Sequence, residues 1–211
     1  MSARFLDDDA RAAFKRAIEA IEAVSAVEVV VAVRRRSHGY RHANVAVGAL
    51  TAFVGLAVML FARQAFALTS ILIDPFVVGL IAGTVVELLP GVKRVLTPPA
   101  SRRLHVHRAA RATFVERGVH ATRARTGLLV YISWLEQAVA IVADLGLARQ
   151  LSADTVARIE QALTAEMRGG GARVASVLER FAGELHTAAP VGDDDVNELS
   201  DAIDSDLERA R

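Results

Sequence analysis

The chain has 211 residues, 53% of them hydrophobic and 23% charged, and a formal net charge of +1. It has no cysteine, which excludes disulfides, thiolate catalysis and cysteine-ligated zinc. The opening MSARFLDDD lacks the basic-then-apolar layout of a secretory signal peptide.

Residues 7–24 predict an amphipathic helix. Asp7, Asp8 and Asp9 offer an N-cap and first-turn acids, a simpler role for them than metal binding. Phe14, Ala17, Ile18, Ile21 and Val24 follow at spacings of three and four. Residues 26–36, AVEVVVAVRRR, read as a strand, since Val27, Val29, Val30, Val31 and Val33 are β-branched. Both of its faces are apolar, so it belongs inside a sheet covered on both sides. Residues 1–36 therefore begin an α/β domain.

The next stretch is suited to a solvent other than water. Residues 43–62, ANVAVGALTAFVGLAVMLFA, are twenty positions without a charge. As a helix they span about 30 Å, the thickness of a bilayer's hydrocarbon core. A second span is expected at 71–90, ILIDPFVVGLIAGTVVELLP, with Asp74 and Glu87 about one turn from either surface. Residues 43–90 thus predict a transmembrane hairpin with a turn at 63–70. A buried hairpin in a soluble core fits poorly, because the remaining chain is too short to cover it and the first span has no polar stripe. Gly79 and Gly83 stand four apart and are expected to line the contact with the first span or with a second copy.

Arg34, Arg35, Arg36 and Arg41 precede the hairpin, and Lys93, Arg94, Arg102 and Arg103 come after it, whereas the turn has only Arg63. By the positive-inside rule both termini face the cytoplasm, and a bacterial inner membrane is the expected site. These eight basic residues are read as contacts for anionic headgroups, with Tyr40 at the interface. Nucleic acid is not expected as a partner, because no aromatic residues interleave with the arginines.

After Pro98 and Pro99, residues 101–121 predict a basic helix docked through Leu104, Val106, Ala110, Phe114 and Val115, with Gly118 loosening or ending it. His105 and His107 are two apart, and on a helix they do not share a face, so they are not read as a ligand pair. Residues 127–133 and 137–143 predict an antiparallel pair reversing at Trp134, Leu135 and Glu136. A helix over 151–167, capped by Ser152, and another over 172–188 are separated by Gly169, Gly170 and Gly171. That glycine run lacks the pattern of a phosphate-binding loop. The soluble remainder, 99–189, leads into an acidic tail, 190–211. There Val196, Leu199, Ile203 and Leu207 keep helical spacing, and the acids can neutralise the basic segment 102–125.

The order helix, valine-rich strand, basic helix, then RTGLLVYISWLEQAVAIVADLGL at 125–147 resembles the TPM domain, a family named for thylakoid-lumen, photosystem-associated and nematode receptor-modulator proteins. Residues 8–36 resemble it more weakly, and the common secreted arrangement has no hairpin inside the domain. The resemblance implies a small mixed sheet with helices on both faces. It also implies assembly or repair factors in some members and calcium-binding proteins or acid phosphatases in others. Asp144 is the acid in the matched stretch, and it is more simply a turn and cap residue, as Glu136 is a turn residue. Two function classes are open on this reading. One is a membrane-anchored interaction module, acting with a protein partner or as a homo-oligomer, with no cofactor. The other is a phosphoester hydrolase in which Asp144 and converging carboxylates hold calcium or magnesium.

Overall fold

A computed structural model of the protein describes residues 5–192, 198–199 and 202–207. The chain forms two compact units, one built from residues up to His38 and from Arg102 onward, the other from Gly39 to Ser101.

The first unit opens with α1 (Asp8–Glu22), whose N-cap is Asp7, accepting the Ala10 amide at 2.9 Å. Phe14, Ile18 and Ile21 are fully buried, each stabilising by about 1.5–3 kcal/mol. β1 (Glu28–Arg34) is buried along almost its whole length, as its two-sided apolarity requires. After the inserted unit, whose helices are α2, α3 and α4, comes α5 (Pro99–Glu116), then β2 (Gly127–Ser133) and β3 (Ala138–Ala143). They are followed by α6 (Leu145–Ala148), α7 (Ala153–Glu166), α8 (Gly171–Arg180), α9 (Ala182–Ala188) and β4 (Asp204–Ser205).

The sheet order is β3-β2-β1-β4. β1 runs parallel to β2, with Glu28 opposite Gly127 and Arg34 opposite Ser133. β2 and β3 form an antiparallel hairpin, and β4 adds parallel to β1 at Ala32 and Val33. The first strand thus joins the 127–133 and 138–143 pair across the intervening hairpin. Side chains alternate strictly. Val29, Val31, Val33, Leu128, Val130, Ile132, Val139 and Ile141 meet a core that includes Phe14, Ile18, Leu163 and Leu178. Val30, Ala32, Leu129, Tyr131, Ala138 and Ala140 meet Val106, Ala110 and Phe114 of α5 on the other face.

Several boundaries depart from the sequence reading. The helix expected over 101–121 ends at Glu116, where Gly118 adopts φ 65° and a 3-10 turn follows at Val119–Ala121. The helix expected over 172–188 breaks at Phe181, separating α8 from α9. Part of the tail predicted as a helix lies outside the described residues. Its end is instead extended as β4, because β1 has an otherwise open edge and Asp204 meets Arg34 there.

The second unit holds α2 (Arg41–Phe61), α3 (Leu68–Val86) and α4 (Pro90–Leu96). α2 and α3 are long and apolar enough to cross a membrane; none of the apolar window of α2 and 17% of that of α3 is buried. The second apolar helix covers 68–86 rather than the expected 71–90. Glu87 ends it, where its carboxylate accepts from Asn44 Nδ2 and pairs with Lys93 Nζ, both at 2.7 Å. Asp74 falls in the second turn of α3, about 9 Å of helix from Leu68. A Cβ built on Gly79 would lie 2.5 Å from the Gly48 carbonyl oxygen, and one on Gly83 2.8 Å from that of Asn44. The glycines of α3 therefore bear directly on the backbone of α2, an approach that larger residues forbid.

Gly55 lies against Pro75 with a Cβ separation of 3.6 Å, within disulfide range. Gly55→Cys with Pro75→Cys should cross-link readily under mild oxidation in this cysteine-free chain. Adding Gly79→Leu and Gly83→Leu should cut the cross-linked yield severalfold on a non-reducing gel.

Candidate functional site

Polar chemistry concentrates in three places on the α/β unit. The first lies beyond the carboxyl ends of parallel β1 and β2, where ligands gather in open α/β sheets. Ser37 Oγ donates to Ser133 Oγ at 2.8 Å and contacts the Tyr131 hydroxyl at 3.3 Å. The Glu136 carboxylate accepts from the Ser37 amide at 3.1 Å and from the Ser133 hydroxyl. Burial pushes the Tyr131 phenol above its ordinary range. The Arg102 guanidinium reaches the Glu136 carbonyl at 3.4 Å, and the rings of His38 and His105 stack 4.0 Å apart. Ser37 and His38 lead out of this unit, and Arg102 and His105 lead back into it. The cluster therefore clamps the two ends of the insertion, with the Glu136 carboxylate and the Ser133 hydroxyl committed to each other and the Arg102 Nε buried without a hydrogen-bond partner.

The second place is Asp144. Its side chain is buried and caps α6, with Oδ1 accepting the Leu145 amide at 2.8 Å. Oδ2 makes no hydrogen bond and lies 3.7 Å from Arg125 Nη1. Arg125 itself holds φ 57°, and its carbonyl accepts the Leu147 amide at 3.1 Å. Among the described residues no group of three or more His, Asp or Glu side chains converges on a metal-sized site. Asp193, Asp194 and Asp195 lie outside the described residues, and Asp7 is engaged as the cap of α1.

The third place was not legible in the sequence. β3 is an edge strand, and α7 supplies acceptors for its outward amides. Thr164 Oγ1 accepts from Val139 at 3.0 Å and Glu160 Oε1 from Ile141 at 2.7 Å. His107 Nε2 of α5 stands 3.5 Å from Glu160 Oε2. Arg103, His107, Glu160, Gln161 and Thr164 line a cleft of about 340 Å³ floored by Ala138 and Val139. Burial raises the Glu160 carboxyl above its usual range, against the opposing pull of the Ile141 amide, His107 and Arg103. The sequence signal was the four-residue spacing of Glu160 and Thr164, which puts both on one helix face. Nothing local linked either to His107.

The basic residues flanking the hairpin are used unequally. Arg34 is paired with Asp204, which also takes Arg117 at 2.6 Å. The Arg35 amide donates to Asp206 at 2.6 Å, and its side chain is exposed, as are those of Arg36, Arg41 and Arg103. Lys93 is buried on Glu87, Arg94 is half-buried, and Arg102 is engaged at the Glu136 turn. In the tail, Glu198 receives the Arg123 amide at 2.9 Å, so described acids do meet the basic segment.

The fold defines a mixed α/β domain with a helical hairpin of membrane-spanning length inserted before its second strand. No family model matches the chain, and no curated protein matches it. Among solved structures, it is similar to the NMR structure of the BA42 protein from the psychrophilic bacterium Bizionia argentinensis. The TM-score is 0.57 at 15% identity, with 95% of each chain covered. That likeness is one of fold.

Glu160→Gln keeps the acceptor for the Ile141 amide and removes the charge. A raised folded-state carboxyl holds its proton more tightly than in the unfolded chain. Its stabilising contribution is therefore present at low pH and lost as pH rises past the ordinary glutamate value of 4.5. The variant should gain stability relative to the parent as pH rises from 4 to 7, measured by urea midpoints.

Proposed function

We propose that this protein is a membrane-anchored, TPM-like interaction or assembly module. In this reading it spans a bacterial inner membrane twice, keeps both termini in the cytoplasm, and acts through contacts with a protein partner or a second copy. One observation carries the anchoring: α2 and α3 present apolar side chains such as Phe53, Leu60, Phe76 and Leu80 on exposed surface. A soluble unit with that much uncovered apolar surface would aggregate. The absence of charge through residues 43–62 and the arginines on their amino-terminal side support the orientation. The mixed sheet joined across the insertion, with helices on both faces, supports the TPM-like reading, since that resemblance implies the same layout.

The interaction role is supported by how the polar groups are spent. Glu136, Ser37 and Ser133 satisfy one another, Glu160 and Thr164 cap an edge strand, and Asp144 caps a helix. A metal-dependent phosphoester hydrolase needs several oxygens converging on one ion and an open position for water. Asp144 meets an arginine instead.

Reporter fusions at both termini and in the 62–67 connection test the orientation. Cytoplasmic signals from the termini and an external signal from the connection are expected; a terminus outside would overturn it. Phosphate release from a generic monoester with magnesium, manganese or calcium tests the role. No turnover above background is expected for the parent, and metal-dependent turnover lost in Asp144→Asn would establish the hydrolase instead.

A further inference from the structure

We infer that the outward face of α5, formed by Leu104, Arg108, Arg111 and Val115, is a binding surface for anionic lipid headgroups. The inference rests on the anchoring reading and goes further by naming the surface. The four positions are spaced four, three and four apart, so they form one stripe on the helix, about 16 Å long. The buried residues of α5, Val106, Ala110, Thr113 and Phe114, lie on the other side. Leu104 is 49% and Val115 64% exposed, and both arginines are exposed.

Several other arginines of this basic segment have partners inside the protein. Arg117 pairs with Asp204, Arg123 with Glu198 and Arg125 with Asp144. Arg102 reaches the Glu136 carbonyl. Among the described residues Arg108 and Arg111 have no such partner. Like charges three apart on a helix repel, and an anion bridging them removes the repulsion. Guanidinium forks match phosphate oxygens in a bidentate way. An apolar residue at either end of the cationic pair suits the headgroup boundary, where alkyl and charged groups are accommodated together.

Chain connectivity makes a modest surface sufficient. α5 starts at Pro99, directly after α4, which itself comes after the second membrane-length helix. A tethered surface meets the bilayer at high effective concentration, so two arginines suffice where a free domain would need more. Single-stranded nucleic acid is a poorer match, because the stripe has no aromatic side chain for bases to stack on.

The test uses the full chain in lipid nanodiscs. Ala112 is exposed beside the stripe, and the absence of native cysteine makes Ala112→Cys a unique site for an environment-sensitive fluorophore. Its emission should shift to the blue in discs containing phosphatidylglycerol relative to pure phosphatidylcholine, and 0.5 M salt should reverse the shift. Arg108→Glu with Arg111→Glu should abolish it, while the double lysine variant retains it. Neutralising either arginine alone should lower the surface-bound fraction about fivefold. A second probe, at Phe53→Cys in α2, should report lipid in every disc. If the Ala112 probe stays aqueous in both lipids while the Phe53 probe reports lipid, the α5 surface is overturned and anchoring stands. An aqueous Phe53 probe overturns both. A shift produced by a single-stranded oligonucleotide in phosphatidylcholine discs, and not by phosphatidylglycerol, overturns the lipid assignment in favour of nucleic acid.

Discussion

Parallel strands cannot be joined by a tight turn, and that constraint organises this molecule. β1 and β2 are parallel neighbours at the centre of the sheet, so the chain must travel the length of a strand before it can pair again. In an ordinary α/β unit a single helix does this. Here α5 covers the sheet face, and the membrane-length hairpin is inserted ahead of it in the same crossover. An insertion at that point interrupts no ladder, because the connection had to be long in any case.

The insertion still needs its two ends held. Glu136 supplies that through one turn, taking the Ser37 amide and the Ser133 hydroxyl on its carboxylate and Arg102 on its carbonyl. Ser37 belongs to the outgoing segment and Arg102 to the returning helix. Leaving the buried Ser133 hydroxyl unpaired would cost about 1–3 kcal/mol. These hydrogen bonds fasten the outgoing and returning segments to one turn. The sheet edges are managed in the same way, with Thr164 and Glu160 on β3 and the short β4 on β1.

The two units obey different rules of cohesion. In the α/β unit, two-sided burial of valine and leucine drives assembly. In the hairpin, whose two long helices are apolar on their exposed faces, the contact between helices depends on close packing of backbones. Gly48, Gly79 and Gly83 provide it by removing the atoms that would separate the backbones. The same sequence therefore uses bulky side chains to hold one unit together and the lack of a side chain to hold the other.

Periodicity and solvent preference were written locally, and the sequence alone determined what depends on them. The valine run of β1, the twenty uncharged residues from Ala43, the Ser152 cap and the paired runs around Trp134 each carry their structure within one window. The boundaries that moved were set by contacts beyond that window. The second long helix stops at Glu87, where Asn44 and Lys93 meet it, and the end of the tail becomes a strand because β1 has an edge to offer. The candidate sites show the same division. Asp144 was legible as a cap because a cap is local. The cleft of His107 and Glu160 was not, because a helix on one face of the sheet and a helix at its edge are brought together only when β3 pairs with β2. Likewise, counting arginines could not separate Arg34, spent on Asp204, from Arg108 and Arg111, which face outward. Tertiary structure decided that, since a charge's role depends on which opposite charge folding places beside it.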